Sequence, residues 1–520
     1  MNEQESRAAR PAAVADRRRW ALAGLVCTGV GVAAGEFVAA LASPLLSPVT
    51  AVGQAVIDAM PGGVKEWAVS WFGTADKAVF IVSLIVVMAG AAALIGLLER
   101  WRRGLGLAGI AVFAAAGILA VATRADVSTA AFFAPVVAGL VAAAMLAWVA
   151  GRYLRARRGA GAPTGTSRRG FLQAMAVGAV VAVVAAGAST AFRNAAVVVS
   201  GLRAKVRLPR PAVPAPPLPA AASLDVAGLT PLVTAAGDFY RIDTALLVPA
   251  VDSSTWKLTV TGMVERTVEL DFAQLLAKPL VEHYTTIACV SNNVGGNLVG
   301  NARWLGWPVR ELLAEAGVRP GADMVLSTST DGFTAGTPLQ TLTDAREAII
   351  AVGMNGAPLP LEHGFPARLI VPGLYGYVSA TKWVTALKVT TFAADQGYWV
   401  PRGWSALGPI KTASRIDVPR DGSHVPSGRV TVAGVAWDPG AGISGVQVQL
   451  DDGPWQDAEP AAAINVDTWV QWRAVVTAGP GSHRVRARAR NGAGVVQTSA
   501  IAPPAPDGAT GYPQIGFTAG

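Results

Sequence analysis

Five stretches of this 520-residue chain are long and apolar enough to cross a bilayer, and they constrain its first third before any motif is read. They cover approximately residues 20–42, 78–98, 105–122, 131–150 and 171–192. About 20 helical residues at 1.5 Å rise span a hydrocarbon core of about 30 Å, so each is expected to be a transmembrane helix. Their flanks carry the orientation. Arg7, Arg10, Arg17, Arg18 and Arg19 precede the first; Arg100, Arg102 and Arg103 join the second to the third; and Arg152, Arg155, Arg157, Arg158, Arg168 and Arg169 join the fourth to the fifth. The alternate loops hold Lys65, Lys77 and Arg124. The positive-inside rule then predicts a multi-pass protein of the cell membrane, with a cytoplasmic N-terminus and everything after about residue 195 extracytoplasmic.

The charge balance follows the same division. Residues 1–222 carry 22 Lys plus Arg against 9 Asp plus Glu, whereas residues 223–520 carry 21 against 25, so the overall +9 belongs to the membrane part. The remainder has no basic surplus to favour nucleic acid as a partner. His283, His363, His424 and His483 all lie beyond the spans, which argues against haem ligated between helices. Glu36 is the one charge well inside a span, too little for a proton or ion relay. The helices read as an anchor. Just before the fifth span, residues 167–173 (Ser-Arg-Arg-Gly-Phe-Leu-Gln) resemble a twin-arginine export signal in an internal position. The alternative is that Arg168 and Arg169 are two more topology charges. That export route carries folded proteins, which suits a domain that acquires a cofactor in the cytoplasm.

Beyond the spans, residues 196–222 hold prolines at 209, 211, 214, 216, 217 and 219 and predict an extended polyproline linker. Strand patterns over 255–261, 285–290, 368–371 and 383–391, with a helix over 307–316 that has Pro308 in its first turn and Gly317 behind it, predict an α+β domain over 223–415. Strand patterns over 430–435, 445–450, 468–477 and 483–490, separated by Gly-rich turns, predict an immunoglobulin-like β-sandwich over 416–502 and leave 503–520 as a tail. In the 483–490 strand Arg484, Arg486, Arg488 and Arg490 share one face, expected to be solvated.

Cys289 is the only cysteine after Cys27, and Cys27 lies within the first span, out of reach for a disulfide. Cys289 is therefore a buried bystander or a working thiolate. A cysteine hydrolase with His283 is disfavoured, since six residues along a strand separate the two by about 20 Å. The residues around it decide the reading. Phe239-Tyr-Arg-Ile-Asp243, the loop from Cys289 to Gly296, residues 303–313, residues 354–373 (Met-Asn-Gly-Ala-Pro-Leu-Pro-Leu-Glu-His-Gly-Phe-Pro-Ala-Arg-Leu-Ile-Val-Pro-Gly) and Lys382-Trp383 together resemble the sulfite oxidase family of molybdopterin enzymes. The resemblance covers residues 225–500, a little over half the chain.

The expected architecture is thus a multi-span α-helical membrane anchor over 1–195, an α+β molybdopterin-binding domain and a C-terminal immunoglobulin-like β-sandwich. The resemblance implies a molybdenum–molybdopterin cofactor with Cys289 as its one protein metal ligand, and a soft thiolate suits a metal already bonded to dithiolene sulfurs. It also implies cofactor contacts from Arg241, Asp243, Ser291, Asn292, His363, Arg368, Ser379 and Lys382, and catalytic roles for Cys289, Trp404 and Arg241. Guanidinium and ammonium groups are apt donors to the pterin phosphate. The family's sulfite-oxidising members place an arginine just after the cysteine and a tyrosine late in the domain; here stand Val290-Ser-Asn-Asn293 and Trp404. This favours oxygen-atom transfer on a neutral oxide, a sulfoxide or N-oxide, over a sulfite dehydrogenase, with a non-catalytic binding or assembly module as the rival of another class. The partners implied are a small-molecule substrate, a separate electron carrier, the membrane, and a second copy of the chain in a homodimer through the β-sandwich.

Overall fold

In the computed structural model the described residues are 3–42, 48–60, 76–123, 129–158, 180, 187, 198–245 and 247–520. The chain divides into two units, Met1–Val198 with Ala245–Val248, and Val199–Thr244 with Pro249–Gly520.

The first unit is helical: α1 (Glu3–Ala42), α2 (Pro48–Ala59), α3 (Asp76–Trp101), α4 (Leu105–Ala122) and α5 (Phe133–Arg158). Within them Asp16–Ala39, Val79–Trp101, Leu105–Ala122 and Thr129–Arg152 are long and apolar enough to cross a membrane, matching four of the five expected spans. The fifth lies outside the described residues except for Val180 and Gly187, and the Arg168–Arg169 pair lies outside them entirely. Small residues let the helices approach closely. A Cβ on Gly24 would strike the Ala92 carbonyl on α3, and one on Gly96 would strike the Trp20 carbonyl on α1. At the α3–α4 turn, Glu99 accepts the Gly104 and Gly106 amides at 3.1 and 3.0 Å, satisfying helix-start donors that an apolar residue would leave bare.

The second unit begins with a correction. The segment over 196–222 expected as an extended linker is helical over 198–205 and irregular through its prolines, and it is packed against the rest of the unit. Val199 and Ala222 are buried, Arg203 donates to the Pro358 and Leu359 carbonyls (both 2.6 Å), Ala212 N–H donates to Leu280 O, and Glu282 N–H donates to Val213 O. Proline removes donors, yet Val213 still bridges to Val281, because the intervening residues keep theirs.

In chain order there follow β1 (Lys257–Gly262), β2 (Val268–Asp271), α6 (Phe272–Leu276), β3 (Val281–Ala288), β4 (Val299–Pro308), α7 (Val309–Ala316), β5 (Met324–Ser329), β6 (Thr334–Pro338), α8 (Leu339–Thr343), β7 (Ile349–Met354), β8 (Ala357–Pro358), β9 (Arg368–Ile370), α9 (Gly376–Ser379) and β10 (Val384–Thr390). They form two sheets, β2-β1-β10-β5-β6 and β3-β4-β7-β8, with β9 also on β7. Local chemistry sets the ends. Asp271 and Gln274 make a reciprocal capping box on α6, and α7 stops at Gly317, whose φ of 70° a side chain would resist. Val309, Leu312, Leu313 and Ala316 are the buried stripe of α7, spaced as a helix face requires. Trp304, Trp307, Trp383 and Phe365 are fully buried between and around the sheets.

The C-terminal part is β-only: β11 (Ala413–Val418), β12 (Ser423–Val425), β13 (Gly428–Trp437), β14 (Ile443–Leu450), β15 (Gln456–Asp457), β16 (Glu459–Pro460), β17 (Val470–Ala478), β18 (Gly481–Asn491) and β19 (Gln514–Ala519). Sheets β11-β13-β17-β16 and β12-β19-β18-β14-β15 enclose a core that includes Val432, Val448, Trp472, Val485 and Ala487. Two expected boundaries move. The sandwich opens at Ala413, before residue 416, and residues 503–520 are no tail. Gln514–Ala519 pairs with β18 and β12 and buries Phe517 and Ala519. The prolines and glycines of 503–513 hid this strand by breaking the pattern before it. On β18, Val485, Ala487 and Ala489 face inward, and Arg484, Arg486 and Arg488 face outward with Arg490, as the alternation predicts.

Candidate active site

Cys289 sits one residue past β3, where the strand ends in a hydrogen-bonded turn. Its N–H donates to Leu298 O at 2.9 Å, and its carbonyl accepts the Asn292 amide at 3.1 Å. Gly296 suits this turn, since a Cβ there would displace Asn292 Oδ1 and come within 2.9 Å of the Asn293 carbonyl oxygen. The thiol opens on a cavity of about 130 Å³ whose walls include Tyr240, Asp243, Ser291, Asp331, His363, Arg368, Lys382, Trp399 and Trp404.

The strands bring distant residues here. β9 carries Arg368, whose Nη1 and Nη2 donate to His363 O and Ala380 O (both 3.1 Å) and whose guanidinium lies 5.2 Å from the Trp304 ring centre. Arg368 is buried, no carboxylate lies within ion-pair distance among the described residues, and its Nε has no hydrogen-bond partner. Burial lowers its pKa to about 10, so it stays charged at neutral pH. Lys382 Nζ reaches Asp243 Oδ2 (2.8 Å) and Glu362 O (3.0 Å), and Arg241 Nε holds the same Asp243 oxygen at 2.9 Å. Burial lowers the Lys382 pKa to about 8 against the pull of Asp243. Trp383, next in the chain, has φ 49°, a left-handed conformation unusual for so large a residue, at the turn that places Lys382 on the cavity wall. His363 Nε2 faces Ala236 O at 2.9 Å; burial and then the charges of Arg368 and Lys382 lower its pKa to about 4, leaving the ring neutral.

Of the residues predicted from sequence, Cys289, Asp243, Ser291, His363, Arg368, Lys382 and Trp404 line the cavity. Three do not. Arg241 stands behind Asp243, the Asn292 side chain accepts from Leu298 N–H and shapes the cysteine loop, and Ser379 Oγ donates to Leu374 O and Tyr375 O. Backbone groups engage Asn292 Oδ1 and Ser379 Oγ, and the Asp243 carboxylate engages Arg241. Arg303 and Arg402 stand off the wall as well: Arg303 lies 3.5 Å from Glu282, and Arg402 stacks 3.8 Å over Tyr398. His283 is held by Asp467 at 2.8 Å and does not line the cavity, so it does not form the dyad with Cys289 considered from the sequence. The sequence reading missed Tyr240, Asp331, Phe333, Tyr377 and Trp399. Tyr240 was within reach, since it adjoins Arg241 in a segment already singled out. Asp331, held by Phe333 N–H at 3.2 Å and with its pKa raised by burial, follows β5 in an Asp-Gly turn that gave only a turn signal.

The donor set fits a molybdopterin. A buried guanidinium without a carboxylate calls for an anion such as the pterin phosphate, and Lys382 is a second cation on the same wall. Burial raises the pKa of the Cys289 thiol, opposed by Ser291 and Lys382, so binding a metal would release its proton.

Residues 245–399 match the family model for an oxidoreductase molybdopterin binding domain. The uncharacterized oxidoreductase YuiH of Bacillus subtilis is 32% identical over 157 residues, covering 30% of this chain and 76% of that protein. The chain belongs to the sulfite oxidase family of molybdopterin oxidoreductases. Sulfite oxidase of Gallus gallus is 28% identical over 307 residues, 50% of this chain and 66% of that protein, and the Homo sapiens mitochondrial enzyme is 29% identical, covering 50% and 56%. The chain thus spans between about half and two thirds of the curated sulfite oxidases it matches. Among solved structures, sulfane dehydrogenase SoxCD of Paracoccus pantotrophus aligns with a TM-score of 0.47 at 23% identity, covering 52% of this chain and 75% of that one. As a family member this chain is an oxidoreductase that uses molybdenum–molybdopterin.

Proposed function

We propose that this protein is a membrane-anchored oxidoreductase that reduces a small neutral sulfoxide or N-oxide by oxygen-atom transfer. The S–O or N–O bond breaks, two electrons and two protons are taken up, and the products are the sulfide or amine and a water molecule. Bound molybdenum–molybdopterin supplies the two-electron redox change. One observation carries the substrate reading. The part of the cavity wall formed by Trp404, Trp399, Phe333 and Tyr377 is aromatic, and the two cations that line the cavity among the described residues, Arg368 and Lys382, are taken up in this reading by the pterin phosphate. An oxyanion such as sulfite therefore lacks a committed donor, worth about 1.5–3 kcal/mol for a charged hydrogen bond.

In this reading Cys289 ligates the metal, Arg368 and Lys382 bind the phosphate, and His363 and Asp331 face the pterin. Arg241 and Asp243 hold Lys382 in place, and Trp404 walls the substrate. The helices anchor a catalytic unit outside the cytoplasm, exported folded through the arginine pair. Electrons come from a separate carrier, and the C-terminal sandwich, immunoglobulin-like in its two-sheet form, offers a homodimer surface. The names of the vertebrate relatives favour sulfite oxidation as the second reading. Dye-coupled assays separate them: viologen-dependent reduction of dimethyl sulfoxide or trimethylamine N-oxide should exceed sulfite-dependent dye reduction in kcat/KM by at least about tenfold, which is 1.4 kcal/mol. Efficient sulfite oxidation with no oxide reduction would refute the oxide reading.

A further inference from the structure

The loop that carries Trp399 and Trp404 is pinned from outside itself. Within the loop, Trp399 O accepts the Arg402 and Trp404 amides at 3.0 and 3.2 Å, so the two indoles move as one turn; their ring centres are 6.1 Å apart. Tyr377, on α9, donates its hydroxyl to Ser405 O at 2.8 Å, and its ring centre lies 6.0 Å from that of Trp404. On the other side Ser405 N–H donates to Pro506 O at 3.0 Å, and Lys411 Nζ donates to Asp507 Oδ1 and Gly508 O, both at 2.8 Å. Gly508 has φ 100° and packs on Tyr375, where a Cβ would come within 2.6 Å of the phenol oxygen. Residues 504–508 lie in the connection between β18 and β19, five residues before β19 begins at Gln514. The residue after Trp404 is thus gripped by a tyrosine of the cofactor-binding part and by a loop of the sandwich, one on its carbonyl and one on its amide.

We propose that Tyr377 and the 504–508 loop form a clamp that positions Trp404, so that the sandwich helps to set which substrates the cavity admits. This rests on the reading of Trp404 as a substrate wall. Tyr377 is a positioning residue, acting through Ser405 on its neighbour. Burial raises its pKa, so the hydroxyl remains a donor across the physiological range. The Ser405 N–H lies in the peptide plane shared with Trp404 and the Ser405 carbonyl in the plane that follows, so the two grips fix the planes on both sides of the Ser405 Cα, and with them the Trp404 Cα that carries the indole. Either grip alone leaves a hinge.

The test uses the full-length, cofactor-loaded protein in detergent, with Tyr377→Phe to remove only the hydroxyl and Lys411→Met to release the exposed strap without touching the cavity. Trp404→Phe is the reference. For Tyr377→Phe, the KM for dimethyl sulfoxide should rise about three- to tenfold, the effect of one lost hydrogen bond, with kcat within about twofold. The bulkier methyl phenyl sulfoxide should be less affected than dimethyl sulfoxide. Lys411→Met should shift KM in the same direction by a smaller factor. Acrylamide quenching attributable to Trp404, taken as the difference from Trp404→Phe, should increase in both variants. In the Trp404→Phe background neither substitution should change KM further. Unchanged Trp404 quenching in both variants, or KM effects of equal size with and without Trp404, would overturn the clamp. If no oxide is turned over, the substrate reading fails, and the quenching comparison still decides the clamp.

Discussion

Arg368→Lys tests the anion site most directly, because it keeps the charge and removes the fork. The guanidinium makes two hydrogen bonds, to His363 O and Ala380 O, both at 3.1 Å, and faces the Trp304 ring at 5.2 Å. Hydrogen bonds from a charged donor contribute about 1.5–3 kcal/mol each, and a lysine ammonium can replace one but not span both. Adding a weaker cation–π contact of about 0.5–1 kcal/mol gives an expected loss of about 2–4 kcal/mol. The two carbonyls belong to the turn that carries His363 and to the segment that carries Lys382, so the loss loosens both sides of the cavity. For a unit of this size about 2 °C of melting temperature accompanies each kcal/mol, which predicts a fall of about 4–8 °C in the cofactor-free protein. The purified variant should also retain less pterin, measured by fluorescence after oxidative release. Melting within about 1 °C of wild type, together with full pterin content, would refute both the hydrogen-bond arithmetic and the phosphate assignment.

The parts legible in the sequence were those with a local signature. The α7 helix ending before Gly317, the alternation of β18 and four of the apolar spans all follow from spacing and composition, although α7 starts two residues later than expected because Trp307 and Pro308 complete β4. Cys289, His363, Arg368 and Lys382 were legible through their motifs, and the fold brings them to one cavity from β3, β9 and the loops after β8 and α9. What failed was whatever depends on a partner distant in sequence. Residues 199–222 looked like a free spacer because polyproline composition says nothing about a neighbour, yet they pair with residues 280–282. The 503–520 segment looked like a tail because β19 is short and contains Gly516, and only its pairing with β12 and β18 makes it a strand. Asn292 and Ser379 are a different case, since their Oδ1 and Oγ bond main-chain groups four to six residues away and neither residue lines the cavity. The Trp399–Trp404 wall combines both cases: Trp404 was found by its position in a motif, while Trp399 and Tyr377 reach it only through the folded loop.

Three further tests concern the metal ligand, export and acid stability. Cys289→Ser should keep the fold, with melting of the cofactor-free protein near wild type, while losing at least about 90% of activity and changing the charge-transfer absorption of the loaded protein, since a thiolate donor is replaced by a harder oxygen; full activity in the serine variant would exclude Cys289 as metal ligand. Changing Arg168 and Arg169 together to Lys preserves the topology charge but removes the guanidinium pair, so the C-terminal unit should stay inaccessible to external protease; normal export would reduce the pair to a topology signal. The last concerns acid stability and His363. Its pKa is about 4 in the folded protein, against 6.5 for a free imidazole, because burial and the charges of Arg368 and Lys382 disfavour the imidazolium. Between those values the unfolded chain binds a proton that the folded chain does not, so stability falls as pH drops from 6.5 toward 4 and is unaffected above 6.5. At pH 5 the loss amounts to about 1.5 pH units at 1.36 kcal/mol each, or about 2 kcal/mol. His363→Gln offers an amide N–H toward Ala236 O but cannot titrate. The drop in melting temperature of the cofactor-free protein between pH 7 and pH 5 should therefore be smaller in the variant by about 4 °C. Equal drops in the two proteins would mean that His363 is protonated in the folded state, and the buried neutral ring against the cavity would have to be abandoned.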